Sequence, residues 1–497
     1  MPASNVVRTW IEQAAARHGD DVYLADARGP AALTYAGLLD VVRAAERELD
    51  AAGLPAGSRV NVRLSDPYPY AVALVALIAA DRVAVPLDPN APDTDIARVV
   101  AVARPAGMVT ALPSGPASSG GPEGAGRTGA ATLPFGISAF DLSPVNPDTP
   151  AGGIFLCTSG TTGTPKGILL REEQLAYVAG CVVETHQFTR ADRGYCSLPL
   201  FHVNAEVVGV LAALRAGAYL AVDRKFSRRG FWELIGERQI TWINAVPAII
   251  SILAMDPPAS PPPSLRFVRS ASAPLPLAAL ERFEKSLRVP VIETYGMTEA
   301  ASMITANPVD GPRKPGSAGK PAGSEVRIGA PDGDAAAAAG EIGPVMIRGA
   351  GVIKSYASGG KPGAIDAEGW LLTGDLGYLD DDGYLFLVGR SDDVINRGGE
   401  KIYPREIEEI LLAQPGVRSA AVIGAADDVL GERPVAYVVP DADAVAAEIE
   451  ALLRSACAES LPRHKQPSEF WLVDEMPLGP TGKISRRLLK ESVAAQP

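Results

Sequence analysis

The run VVRTWIEQAAARH spaces its apolar residues three and four positions apart, which predicts an amphipathic helix over Asn5–His18. The repeat returns from Tyr35 to Leu49, with Leu38, Leu39, Val42 and Ala45 on one face. Short β-rich runs follow at Arg59-Val-Asn-Val-Arg63 and Val83-Ala-Val-Pro-Leu87. The apolar stretch Ala71–Val85 is cut by Asp81 and Arg82, so it reads as a buried helix entering a strand; a membrane span needs about 18 uninterrupted apolar residues. Gly153-Ile-Phe-Leu-Cys157 reads as a buried strand, and Arg171-Glu-Glu-Gln-Leu175 as the start of a helix. Helices alternating with short apolar strands predict an α/β fold of layered subdomains.

Between Ala111 and Thr149 the chain turns rich in Gly, Pro, Ser and Ala, a composition that buries too little apolar surface to pack, so a mobile surface loop without chemistry is expected. Asp256–Ser264 and the alanine run Ala335–Ala339 are also expected as loops. A second change of organisation falls near Gly389-Arg-Ser-Asp-Asp393. Beyond it, Pro404 opens a helix whose glutamates suit the positive end of the helix dipole, followed by strands at Ser419–Ile423 and Val435–Val439 and a helix from Ala444. The reading is therefore a large domain over 1–390 and a small mobile α+β domain over 391–497.

Length agrees, because 497 residues exceed the roughly 250–300 at which one core stops growing. The formal charge of −12 argues against nucleic acid or an anionic membrane as partner. Cys157, Cys181, Cys196 and Cys457 form no C-x-x-C pair, and His18, His186, His202 and His464 no ligand-spaced cluster. Together with an N-terminus that has no basic, then apolar, leader pattern, this predicts reduced thiols, a cytoplasmic setting and no structural zinc.

The candidate chemistry begins at Thr158-Ser-Gly-Thr-Thr-Gly-Thr-Pro-Lys-Gly167. Glycines let backbone N–H groups converge on an anion and hydroxyls add donors, which suits a polyphosphate. A loop lying between strand and helix is expected for that purpose. The nucleotide loop G-x-x-x-x-G-K-[ST] does not fit, since Pro165 precedes Lys166. A plain Gly/Thr turn with a solvated lysine is the competing reading, and other motifs must decide.

The loop resembles the phosphate-loop signature of the adenylate-forming superfamily of acyl-CoA synthetases, peptide-synthetase adenylation domains and luciferases, and further motifs follow in that family's order along nearly the whole chain. Tyr295-Gly-Met-Thr-Glu299 resembles the signature whose aromatic residue lies against adenine, whose threonine contacts the α-phosphate and whose glutamate helps hold Mg²⁺; this implies Tyr295, Thr298 and Glu299. Thr373-Gly-Asp375 resembles the ribose motif, with Arg390 also reaching the ribose, and Asp392 sits at the hinge about which the family's small domain rotates between adenylation and transfer. Pro477-Leu-Gly-Pro-Thr-Gly-Lys483 resembles the catalytic-lysine motif. The resemblance places Thr158, Ser159, Gly160, Thr161, Thr162, Gly163, Thr164, Lys166, Ser272, Ala273, Pro274, Thr294, Tyr295, Gly296, Asp375 and Arg390 around ATP, and assigns catalysis to Lys483, Thr298, Glu299 and His202.

The implied reaction is attack of an acid on the α-phosphorus of ATP, giving an acyl-adenylate and pyrophosphate. Arg397-Gly-Gly-Glu-Lys-Ile402 resembles the loop that brings pantetheine to the adenylate, with Gly399 on the tunnel, which favours CoA as acceptor. With 14 residues after Lys483, no attached carrier domain is expected. An alternative is a small oxyacid such as nitrite passed to an amine, or loading of another acceptor. Pro199-Leu-Phe-His-Val-Asn204 is similar to the acid-pocket motif and implies Phe201, His202 and Asn204; Trp242, Ser270, Met297, Ser302 and Met303 complete the expected pocket. Arg266–Ser272 and Gly311–Gly316 are similar to the branch containing oxalate–CoA ligases, but Asn204 and Ser302 stand where that branch carries histidines. Asn204, Ser270, Ser272 and Ser302 supply no cation for a second carboxylate, so Trp242 and Met303 are expected to wall an apolar or aromatic acid.

Overall fold

The computed structural model describes residues 5–112, 132–140, 152–158, 165–330, 333–441, 444–478 and 484–494. A nine-stranded sheet organises the large domain. Its six central strands, Val291–Tyr295, Phe267–Ser270, Trp242–Ala245, Arg193–Cys196, Tyr219–Val222 and Val22–Asp26, run parallel in that order. Antiparallel strands close both edges. The parallel strands are largely buried and mostly apolar, as strands covered on both faces are, with Asn244, Arg269 and Glu293 as buried polar exceptions.

A six-stranded sheet carries Arg59–Val62 and Val83–Pro86 at its centre and ends in the hairpin of Gly153–Thr158 with Lys166–Arg171. Helix Pro67–Ala79 contacts strands of both sheets and is buried from Tyr70 onward, which is why its sequence is apolar on every side. Asp66 caps it, accepting from Tyr68 N at 3.1 Å, with Pro67 in the first turn. A five-stranded antiparallel sheet follows, with Leu371–Leu379 and Leu385–Arg390 at one side.

The small C-terminal domain pairs Val417–Asp427 with Gly431–Pro440 and adds Glu469–Leu472 in parallel, with helices Pro404–Leu412 and Ala446–Ser460. Its apolar clusters, spanning Ile395 to Leu489, are separate from the main core, which reaches from Val7 to Leu385. The predicted helices and strands of both domains are present: Val6–His18 and Tyr35–Ala51 bury Leu38, Val42 and Ala45, while Leu39 is only partly covered. Among the described residues no helix is long and apolar enough to cross a membrane, and the four cysteines are unpaired.

Three expectations need correction. Within the expected loop 111–149, Gly136–Ala139 forms an edge strand beside Gly107–Thr110, because four residues need only one neighbour to satisfy their backbone; 113–131 and 141–149 lie outside the described residues. Gly333–Ala336 is also a strand, so the first two residues of the Ala335–Ala339 run lie in a strand, with Ala336 opposite Gly329. The phosphate-type loop does not run from strand into helix. Thr158 is followed, after the loop, by strand Lys166–Arg171, in which Ile168, Leu169 and Leu170 pair with Leu156, Phe155 and Ile154; only then does helix Glu172–His186 begin, with Gln174 accepting from Arg171 N. The strands on either side of 159–164 thus pair with each other, and the helix begins only at Glu172, one strand later than expected.

Candidate active site

The parallel strands end together, and the candidate residues gather at those ends, where open α/β sheets bind ligands. Tyr295 is the last residue of its strand. Its Oη donates to Asp375 Oδ2 at 2.5 Å, and Arg390 Nη1 lies 3.1 Å from Asp375 Oδ1. The Asp375 amide in turn donates to Thr373 Oγ1 at 3.0 Å. Burial, and then the charge of Asp375, hold the Tyr295 phenol far above its usual range, so it remains a donor at any physiological pH. Gly374 adopts a left-handed φ of +81°, and a Cβ there would lie 2.8 Å from Arg390 Nη2.

After Tyr295 the chain makes a tight turn. Ser302 N donates to Met297 O at 3.1 Å, and Ala301 and Ser302 take left-handed φ values of 48° and 96°. A Cβ on Gly296 would fall 1.2 Å from Ser302 O, so only glycine fits. Ser272, in the loop after Phe267–Ser270, has φ +75°; non-glycine residues held in this region cluster at functional sites. Ser272, Ala273 and Pro274 are exposed at the strand end, and Thr294 Oγ1 donates to Ser270 O at 3.1 Å.

The turn Thr298–Ala300 buries Glu299, whose Oε1 accepts from Tyr356 Oη at 3.0 Å. Lys166 Nζ stands 5.2 Å from the centre of the Tyr356 ring. Gly167 is tied to Ser358 by backbone and hydroxyl bonds, so the segment 356–358 docks the end of the loop beside Glu299. Sequence reasoning missed Tyr356, which carries no motif. Ser159, Gly160, Thr161, Thr162, Gly163, Thr164 and Lys483 lie outside the described residues.

Phe201 and His202 sit past the strand Arg193–Cys196 with ring centres 4.6 Å apart, both half-buried. Asn204 follows as the first residue of a π-helical segment, Asn204–Leu211, a rare geometry concentrated at functional sites. Its Oδ1 accepts from Arg269 Nη1 at 2.8 Å. Arg269 is a second residue that sequence reasoning missed; its signal is a lone arginine inside the four-residue buried strand FVRS. Ser270, the last residue of its strand, and Ser302, in the turn after Tyr295, are both buried, and Met303 packs into the core beside Thr185.

Trp242 is not a pocket wall. It is the first residue of its strand, at the opposite end from the site, fully buried with its ring 4.4 Å from that of Phe188. A large indole at that end fills the space left by Gly194 on the neighbouring strand.

Asp392 is exposed in the turn Ser391–Asp393. Ser391 Oγ holds Gly374 O at 3.1 Å, whereas Asp393 lies near Arg486. Gly399 stands at a hairpin tip with φ +95° and nothing within 4 Å of a Cβ placed there. Arg405 Nη1 donates to Leu387 O at 2.7 Å and joins helix Pro404–Leu412 to the large domain.

The profile of the AMP-binding enzymes matches residues 11–357, and that of the AMP-binding enzyme C-terminal domain matches 406–483. The chain belongs to the AMP-binding enzyme family. A sulfoacetate–CoA ligase of Cupriavidus necator is 37% identical over 95% of this chain and 95% of its own. An oxalate–CoA ligase of Arabidopsis thaliana is 34% identical over 94% of each. The o-succinylbenzoate CoA synthetase of Bacillus subtilis, solved with its acyl-adenylate, has a TM-score of 0.81 at 27% identity, covering 97% of each chain; it has also been solved with ATP and a magnesium ion. Such members of the AMP-binding family share this chain's plan of a large domain followed by a small one.

Proposed function

We propose that this protein is an AMP-forming acid–CoA ligase. The carboxylate of an acid attacks the α-phosphorus of ATP and pyrophosphate leaves; the CoA thiol then attacks the acyl carbon, giving the thioester and AMP. The observation that carries this reading is the chain Tyr295–Asp375–Arg390, in which an aromatic ring, a carboxylate and a guanidinium from three motifs meet at the strand ends. Asp375 is suited to accept from both ribose hydroxyls, with Arg390 and Tyr295 fixing its two oxygens and the Tyr295 ring offering a face for adenine. Relatives named as acid–CoA ligases over nearly their full length support the same reaction.

Thr298 is assigned to the α-phosphate, Lys166 and Thr158 with the loop between them to the outer phosphates, and His202 and Phe201 to the acid. Glu299, a buried carboxylate oriented by Tyr356, is assigned to Mg²⁺ that arrives with the nucleotide, since a hard cation takes oxygen ligands. Bound there, the ion would neutralise charge on the phosphates as pyrophosphate leaves. Lys483 is assigned to the charge developing on the carboxylate and α-phosphate, work of the kind that donors fixed in advance perform in enzymes. The domains are divided at 390/391, with Asp392 as pivot: it is exposed, and among the described residues its side chain has no partner. Gly399, unobstructed at its hairpin tip, would face pantetheine after rotation. A cytoplasmic setting suits these substrates.

The test is isotope exchange between pyrophosphate and ATP, and AMP release with CoA, over a panel of aliphatic, aromatic, dibasic and inorganic acids. Acid-dependent exchange followed by CoA-dependent thioester is expected. AMP from nitrite and an amine alone would replace this reading by diazotisation, and no AMP from any acid would end it.

A further inference from the structure

Arg269 is 1% exposed, inside a strand covered by neighbours on both sides. Its Nη1 donates to the amide oxygens of Asn204 at 2.8 Å and Asn244 at 3.1 Å. Its Nε has no acceptor, and no carboxylate of the described residues pairs with it. A buried cation without a counter-charge is strongly disfavoured unless something else supplies one.

The surroundings do not supply it. Glu206, two residues beyond Asn204, is fully buried, but among the described residues neither of its oxygens is bonded, so it makes no ion pair with Arg269, and burial pushes its carboxyl well up. His186 is pushed down to about 3 by burial and by the charge of Arg269, so it is neutral. Burial lowers Arg269 itself only to about 9, which leaves it charged at neutral pH. Asn204 spends its oxygen on Arg269 and leaves Nδ2 buried without an acceptor. Buried donors thus stand unsatisfied on both members of the pair, and both members neighbour, along the chain, residues assigned to the acid site. Asn204 is two residues past His202, and Arg269 immediately precedes Ser270.

We infer that the acid this enzyme activates is short and carries a second anionic group, a carboxylate or a sulfonate, which Arg269 and the Asn204 amide hold while the first carboxylate reacts. The inference rests on the ligase reading above and narrows it. It also reverses the expectation of an apolar acid: the cation is present, supplied by a strand residue, and Trp242 is elsewhere.

The experiment compares acid-dependent AMP formation for oxalate, malonate, succinate and sulfoacetate with that for acetate, propionate and monomethyl malonate. At least one dianionic acid is expected to exceed its singly charged counterpart in kcat/KM by roughly 10²-fold or more, as a site with buried polar groups rejects an analogue that leaves them unpaired. Sulfoacetate against malonate tells sulfonate from carboxylate. In Arg269→Met that preference is expected to collapse, chiefly through KM for the acid, with KM for ATP changed little. Asn204→Asp gives Arg269 an internal partner, and is expected to raise thermal stability while suppressing dianionic acids. Should Arg269→Met not fold, thermal protection of the unaltered protein by malonate or sulfoacetate, and not by propionate, gives the same answer. AMP from singly charged acids alone, an equal loss for both classes in Arg269→Met, full dianionic activity in Asn204→Asp, or no selective protection overturns the inference and leaves the ligase reading standing. AMP from no acid at all brings down both.

Discussion

Tyr295 and Asp375, 80 positions apart, are joined by a 2.5 Å hydrogen bond that ties the end of a parallel strand to the antiparallel sheet beside it. The bond leaves the Asp375 carboxylate gripped from two directions, by a phenol and by Arg390, before any nucleotide arrives. Asp375→Asn removes the charge that both partners serve. It is expected to raise KM for ATP by roughly 10–100-fold, the worth of one or two hydrogen bonds to a charged group, with a smaller effect on KM for the acid. Initial rates of pyrophosphate exchange at varied ATP measure both.

Tyr356 reaches Glu299 with its hydroxyl and Lys166 with its ring. Tyr356→Phe keeps the ring and deletes the donor, so Glu299 loses orientation while Lys166 keeps its stacking partner. About a tenfold rise in the Mg²⁺ concentration giving half-maximal rate is expected, from loss of one hydrogen bond to a carboxylate. An unchanged magnesium dependence would remove Tyr356 from this role.

Gly296 packs against the carbonyl of Ser302 so closely that no side chain fits. Gly296→Ala must push the turn 301–303 aside, and overpacking of this kind costs about 1–3 kcal/mol. A lowered melting temperature and loss of exchange activity together are expected. Activity without any thermal shift would show that the turn yields freely.

Glu293 lies buried on the strand that ends in Tyr295, and burial pushes its carboxyl up to about 7, against a lowering by Arg405 of the small domain. The folded protein therefore holds this proton more tightly than the unfolded chain does. Stability from this group is full below about 4.5, where both states are protonated, and falls as pH rises to about 7. Glu293→Gln is expected to be the more stable protein above pH 7, by at most about 3 kcal/mol, and to lose that advantage near pH 4.5. Denaturant titrations at the two pH values give the comparison. Burial also pushes Glu172 up to about 7, so the unaltered protein is the necessary reference.

Lys483→Ala separates the two half-reactions. Adenylation is expected to fall by about 10²–10³-fold, the usual cost of losing one donor aimed at developing charge. Thioester formation from a chemically prepared acyl-adenylate should persist if the small domain rotates about Asp392 between the two steps, as proposed. Equal loss in both halves would count against rotation about Asp392.

The sequence by itself determined the layered α/β plan, the separation of a small C-terminal unit, and the family. Each of these depends on local patterns: apolar periodicity sets element type, and an unbroken apolar helix such as Pro67–Ala79 must lie between layers. Motif residues whose work is done at a strand end, such as Tyr295, were legible because glycine and polar residues there interrupt the apolar runs. Only the tertiary structure decided the rest. That Trp242 sits at the far end of its strand and that Arg269 meets Asn204 and Asn244 depend on strand direction and on which residues the neighbouring strands and the π-helical segment bring opposite them, and one residue's shift along a strand reverses its face. The hairpin after Thr158 was hidden because Ile168–Leu170 is too short an apolar run to separate strand from helix by period. Tyr356 could be found only once the fold had carried it, 57 positions along the chain, to Glu299.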